Sequence, residues 1–372
     1  MMILGLLPFL IAAPQFETFH APGYQAPVSG VWYKVGEETS AFPLGALGTG
    51  SVELASNGAF KQAVQENDWL HPEEVLSGSG LQISVDDSSP LTPSRFWGHF
   101  PAADLEYGPE GDPLKVHIRA FAPLVPHDYG LSEMPAALFH LTARNTGGKA
   151  HNLRAVLRWP GTNAEVSNQG GTHLALIPAS SGTYALGAVG SGWEVSFPGV
   201  EDPLREMQAS VVLRPGETSE IVLGLAWCFP SWTSSDGELL KHRYSLRYRD
   251  AAEVLQAALP RYAEIERKIT SWQESIYGSG VPATLKDALL NGLYILPKNS
   301  WWLDDDRFFQ SESFTGCPIT ETFVCRFNGS FPLALLWPEC EKATMKAVAS
   351  AQAASGEIPF GFGSPMGSRS PY

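Results

Sequence analysis

An antiparallel β-sandwich followed by helices is the fold class this sequence predicts, and three observations carry it. From about residue 24 to 235, apolar and polar side chains alternate with period two between turn-forming residues. Past residue 235 the spacing becomes helical, with Ala, Leu, Glu and Arg in the runs. Gly (36) and Pro (29) are abundant, as many turns between short strands require. At 372 residues two domains are expected, and 44% hydrophobic with 17% charged residues is a globular composition.

The strands come first. In NLRAVLRW, Leu153, Ala155, Leu157 and Trp159 share one face while Asn152, Arg154 and Arg158 share the other, so one face is buried. PAALFHLTARNTGGKAHN precedes it as a strand plus an Asn-Thr-Gly-Gly turn, and the two are expected to form a hairpin. QASVVLRPGETSEIVLGLAW predicts a second hairpin, with Pro215 preset for the turn and Gly216 free to take positive φ. KVHIRAF, THLALIPA and GWEVSF read as further strands, and together these runs predict two packed sheets.

The helices follow. RYRDAAEVLQAALPRYAEIERKITSWQESIY is helical with a break at Pro260. VPATLKDALLNGLYILPKNSWW gives a second helix starting near Pro282 or Thr284, with Leu285, Leu289, Leu293 and Leu296 as its apolar stripe. SFPLALLWPECEKATMKAVASAQAAS gives a third, stopped by Gly356. The expected division is an apolar segment 1–23, a sandwich 24–235, linker helices 236–280, and a helical catalytic domain beginning at 281–372.

Charge and cysteines narrow the function. Net charge is −14, which repels phosphate backbones and argues against nucleic acid, while neutral sugars carry no penalty. Cys228, Cys317, Cys325 and Cys340 form no CxxC pair and lie far from the histidines, so reduced thiols are expected rather than a metal site. No cofactor is called for. The opening run MMILGLLPFLIAAPQ is too short to span a bilayer and lacks a basic residue before it. The reading leans to the cytoplasm, with secretion through this run as the other alternative.

Chemistry concentrates in RFFQSESFTGCPITETFVCRFNGSF, residues 307 to 331, where Glu312 and Glu321 sit among aromatics in a long loop between helices. Glu312 reads as a catalytic carboxylate or a solvated loop residue. Glu321 reads as a site residue or a helix-terminal charge. Arg326 is read as holding a carboxylate or substrate, or as a surface ion pair. Trp302, beside Trp301, is either a sugar-stacking wall or core packing at a helix end.

Several stretches resemble the bile-acid β-glucosidase and non-lysosomal glucosylceramidase family, glycoside hydrolase family 116. They are AFPLGALGTGSVELASNGAF, FWGHFPAADLEY and IRAFAPLVPHD in the sandwich part, then LKDALLNGLYILPKNSWW, DRFF before SESF, and GSFPLALLWPECEK in the helical part. The resemblance implies a β-sandwich packed on an (α/α)6 toroid and a retaining mechanism on β-glucosides, without a cofactor. It implies Glu312, after Arg307-Phe308, as nucleophile and sets Glu321-Thr322 just before the family's sugar-binding position, so Glu321 and Thr322 are expected to bind substrate, joined by Arg326 and Trp302 on the residue-type readings above. Val324-Cys325 stands where the family carries Asp-Val, with the Asp on sugar hydroxyls. The family's acid/base Asp lies far downstream of the nucleophile, and nothing before Tyr372 matches it. Retaining hydrolysis uses two carboxyl groups, one attacking and one protonating. An incomplete catalytic domain, inactive or weak by itself, is therefore expected. The alternative from another class is a non-catalytic carbohydrate-binding module resting on the sandwich.

Four other motifs have plainer readings. GALGTG at 45–50 has the wrong glycine order for a dinucleotide loop and is expected to be a tight turn. His127-Asp128 is expected to cap a turn, and Asp304-Asp305-Asp306 to be a solvated turn rather than a calcium site. Asn328-Gly329-Ser330 fits a glycosylation sequon but lies inside the proposed site.

Overall fold

The structure, a computed structural model, describes residues 16–36, 40–64, 73–75, 77–108, 111–198, 203–234, 237–312 and 319–362. The apolar run 1–15 and Cys317 lie outside them. The chain is antiparallel β-sheet followed by helices. A nine-stranded sheet runs, in spatial order, Glu165–Gln169, Thr172–Pro178, Thr183–Val189, Thr218–Cys228, Ala136–Asn145, Leu114–Phe121, Ala102–Tyr107, Pro93–His99 and Trp32–Tyr33. Facing it is a four-stranded sheet of Glu194–Ser196, Leu204–Leu213, His151–Pro160 and Gly80–Val85. Leu153, Ala155, Leu157 and Trp159 bury into the shared core with Phe139, Leu141, Leu186 and Leu223 of the larger sheet, as the period-two pattern requires.

Neither expected hairpin forms. Ala136–Asn145 pairs with Leu114–Phe121 and Thr218–Cys228, whereas His151–Pro160 pairs with Leu204–Leu213 and Gly80–Val85. Leu204–Leu213 and Thr218–Cys228 likewise belong to opposite sheets. Both turns carry the chain across the sandwich, and they do so side by side. The Asn145 amide donates to the Glu217 carbonyl at 2.9 Å, and the Gly216 amide donates to the Asn145 carbonyl at 2.9 Å. The Asn145 side chain adds donor bonds to the carbonyls of Leu213 and Lys149, at 3.0 and 2.8 Å. The turn itself is as expected: Gly216 has φ +82° and Glu217 N–H closes on the Arg214 carbonyl. A Cβ at Gly216 would meet no atom within 4 Å, so Gly216→Ala carries only the backbone penalty of a left-handed residue. A loss of about 1–2 kcal/mol is expected, read as a lower urea midpoint at unchanged m.

The outer face of the large sheet takes the first helices. Asp250 caps Ala251–Ala258 by accepting from Glu253 N–H, and Val254 and Leu255 pack on Leu138, Ala185 and Val222. Gly187 and Gly224 make room, because a Cβ at either would stand 2.9 or 2.8 Å from the Leu255 methyls. A 3-10 turn, Leu259–Arg261, holds Pro260 and separates this helix from Tyr262–Tyr277.

A buried polar network fastens Tyr262–Tyr277 to the sheet. Arg119 grips both oxygens of Asp104 at 2.8 and 2.9 Å and reaches Glu266 at 3.1 Å. Burial alone would raise the pKa of Asp104, yet Arg119, His117 and His99 hold it well below the ordinary carboxylate range. Glu266 in turn bonds His140 Nδ1 at 2.8 Å, and Glu220 lies 3.4 Å from Nε2. Burial lowers the pKa of His140, but those two carboxylates outweigh it and the net shift is upward. A raised folded-state pKa contributes stability that is complete below the unfolded value near 6.5 and is lost as pH rises through the folded value. His140→Gln is therefore expected to lower stability by about 1–2 kcal/mol at pH 6 and by less at pH 9, in paired denaturation curves.

The leucine stripe is half corrected. The second helix is Ala283–Asn291, with Pro282 at its N-cap, followed by a 3-10 turn, Gly292–Tyr294, and Ile295–Asn299. Leu290, Leu293 and Leu296 are buried, while Leu285 and Leu289 are 46% and 48% exposed. The tightened turn changes the phase of the helix, so one stripe cannot run its length. The third helical pattern is divided by Pro338 into Phe331–Leu336 and Pro338–Ser350. Among the described residues no helix is long and apolar enough to cross a membrane.

Candidate active site

The site grows from a short hairpin. Ser300–Trp302 pairs with Phe308–Gln310 around the 304–306 aspartates, where Leu303 N–H bonds the Arg307 carbonyl at 2.9 Å and Asp306 has φ +71°. That stretch is a turn, with Asp305 paired to Arg307 at 2.7 Å. The hairpin sits on the sandwich through the GALGTG turn: Gly48 has φ +66°, donates to Ser300 Oγ at 3.0 Å, and accepts from His242 at 2.9 Å. A Cβ on Gly48 would lie 2.4 Å from the Trp302 amide nitrogen, so only glycine admits this approach. Asp128 caps Tyr129–Ser132, as read from the sequence.

Beyond Gln310 the strand continues to Glu312 and lies against the returning segment 319–321. Glu312 N–H donates to the Ile319 carbonyl at 2.9 Å, and Glu321 N–H to the Gln310 carbonyl at 2.8 Å. The two glutamates thereby flank the single bridge between Ser311 and Thr320. The helix Phe323–Gly329 starts immediately after, and its first residues turn toward Glu312. Thr322 Oγ1 donates to Glu312 Oε2 at 2.5 Å, and Cys325 Sγ lies 3.3 Å from Oε1. Both carboxylate oxygens are thus held by side-chain donors.

Glu321 is a different carboxyl. It is buried at φ +52°, unusual for a residue with a Cβ, and accepts from Gln310 N–H at 2.5 Å and Arg326 Nη1 at 2.6 Å. Arg326 Nη2 is also bonded to Glu341. Burial pushes the Glu321 carboxyl up to about 7, because desolvation outweighs an arginine shared between two carboxylates.

Glu312, Glu321, Thr322 and Arg326 line one cleft of about 160 Å³, with Asn299, Gln310, Cys325 and the apolar Leu293, Ile295 and Leu296. Trp302 is not with them. It is 5% exposed, packs with Leu47, Phe100, Leu296 and Phe308, and carries the Arg243 guanidinium 4.7 Å over its ring. The core-packing reading of Trp302 is the one the structure supports, because its face is occupied by protein. The Asn328 side chain lies outside the described set, and its backbone is helical. Cys325 and Gln310 had no role assigned in advance. Cys325 stands three residues past Thr322, the helical interval that brings two side chains to one partner.

Residues 61–175 match the family model described as beta-glucosidase 2, glycosyl-hydrolase family 116 N-term. Over those residues the chain is similar to a family 116 N-terminal domain. This family 116 match covers the strands from Phe60–Val64 into Thr172–Pro178 and stops short of the cleft. Among solved structures the chain is similar to one described as a kojibiose phosphorylase from human microbiome, at 9% identity and TM-score 0.48 over 96% of this chain and 53% of that one. It is also similar to a heparinase III, at 8% identity and TM-score 0.35 over 54% and 37% of the two chains. A GH36 α-galactosidase from Geobacillus stearothermophilus gives 10% identity and TM-score 0.30 over 50% and 40%. The chain thus spans about half the length of the first of these proteins and less of the other two.

Proposed function

We propose that this chain belongs to a retaining glycoside hydrolase of the β-glucosidase or glucosylceramidase type, in which Glu312 is the nucleophile. The observation that carries the reading is the Glu312 carboxylate, held at both oxygens by Thr322 and Cys325 in a cleft downstream of the family 116 match. Fixed donors orient a carboxylate for attack on an anomeric carbon, and the glycosyl-enzyme ester then yields to water. Arg326 and Glu321 are assigned to the sugar hydroxyls, one as donor and one as acceptor at the same wall of the cleft. The helices from 281 onward are assigned to an (α/α)6 domain, after linker helices at 236–280 and a sandwich at 24–235.

The test uses an aryl β-glucoside whose phenolate leaves without protonation, so that no general acid is required. Turnover, however slow, supports a hydrolase. Saccharide binding with no turnover and no covalent adduct would instead make the protein a carbohydrate-binding module.

A further inference from the structure

A second cleft, of about 290 Å³, opens between the sandwich and the Ala283–Asn291 helix. It shares no lining residue with the Glu312 cleft. Its walls are aromatic: Tyr33 and Phe96 from neighbouring strands, Phe42 across from them, and Tyr294 at 42% exposure. Phe42 and Phe96 meet edge to face, with centroids 6.2 Å apart. Gly98 keeps this wall in place, since a Cβ there would press on the Phe42 ring at 3.1 Å.

One carboxyl serves the cleft. Asn291 Nδ2 donates to Asp287 Oδ1 at 2.9 Å and also to the Gly98 carbonyl at 3.1 Å, while Asn291 Oδ1 accepts from Phe100 N–H at 2.9 Å. Asp287 is therefore oriented by an amide anchored to the sandwich. Its Oδ2 accepts no hydrogen bond from any described residue. Tyr33 and Asp287 both line this cleft, and burial first, then the Asp287 charge, raises the pKa of the Tyr33 phenol. An aromatic wall with one preset acceptor matches a pyranose, which has a C–H face for stacking and equatorial hydroxyls for donation. The volume lies just below the roughly 300–1,000 Å³ of drug-sized pockets, which fits one ring rather than a long oligosaccharide.

We propose that this cleft is an accessory saccharide site taking one neutral pyranose unit, with Asp287 accepting from a ring hydroxyl and Tyr294 stacking on the sugar face. The site stands independently of the role given to Glu312.

The test is a titration of the full chain, labelled at tyrosine rings, with methyl β-D-glucopyranoside. The NMR signals of Tyr33 and Tyr294 are assigned from Tyr33→Phe and Tyr294→Phe. Both are expected to shift on titration, to shift equally in Glu312→Gln, and to need at least about tenfold more sugar in Asp287→Ala. Tyr294→Ala, at an exposed position, is expected to weaken the Tyr33 response similarly and guards against a folding defect in Asp287→Ala. Unshifted Tyr33 and Tyr294 signals would overturn the proposal, as would a sugar response that Asp287→Ala and Tyr294→Ala leave intact. Tetramethylammonium shifting these signals where the sugar does not would make the cleft a cation cage, and would also overturn it. None of these outcomes bears on whether Glu312 reacts.

Discussion

Replacing Glu312 with glutamine is expected to lower kcat on an activated aryl β-glucoside by at least about 10³-fold, with KM changed only a few-fold. Glutamine keeps the size and the acceptor for Thr322, so the cleft geometry survives. What disappears is the oxygen nucleophile, and an amide forms no glycosyl ester. The effect falls on kcat because covalent bonding to the anomeric carbon exists only from the transition state onward. Glu312→Gly gives the complementary outcome: azide, entering the vacated space, restores turnover and releases a glycosyl azide of inverted configuration. Rescue of that kind reports that the missing group was a nucleophile and not a structural acid.

The largest expected effect on stability comes from Trp337. It is fully buried between Leu333, Phe100 and Leu124, and its indole N–H reaches Ser132 Oγ at 3.0 Å and the Val125 carbonyl at 3.2 Å. This side chain ties the last helices to the sandwich at a distance of about two hundred residues in sequence, since its bond to Val125 spans 212 positions. Trp337→Ala removes the apolar contacts, leaves a cavity, and takes away the indole donor, while Ser132 Oγ and the Val125 carbonyl keep their bonds to each other's residue, for a loss of about 3–5 kcal/mol that comes mainly from the cavity. Urea denaturation checks the magnitude. Limited proteolysis checks the location, with cleavage expected to rise first among residues 322–350, whose docking depends on this contact.

The sequence made the burial of individual strands legible, but not their partners. Leu153, Ala155, Leu157 and Trp159 could be placed on a buried face because alternation reports burial directly. The same alternation arises whether a turn folds a strand back in its own sheet or throws it across to the other. Arg214-Pro215-Gly216-Glu217 specified its turn, while the crossing depended on Asn145, a residue about seventy positions away whose bonds no local pattern announces. Leu285 and Leu289 misled for a related reason: helical spacing assumes one continuous helix, and the 3-10 turn Gly292–Tyr294 resets the phase. At the site, Glu312, Glu321 and Thr322 were found through motif resemblance and Arg326 through its residue type, and the four do converge on one cleft. Trp302 was named on residue type alone, and residue type cannot say whether a tryptophan faces a ligand or Phe308 and Tyr129.

The central claim is that the Glu312 oxygen bonds to an anomeric carbon. It is tested most directly by incubating the chain with a 2-deoxy-2-fluoro-β-glucosyl inactivator bearing a dinitrophenolate leaving group, then mapping the adduct by peptide mass spectrometry. The account predicts a single 2-fluoroglucosyl ester on Glu312, absent from Glu312→Gln. An adduct on Glu321 or any other carboxylate, or full labelling of Glu312→Gln, would contradict it.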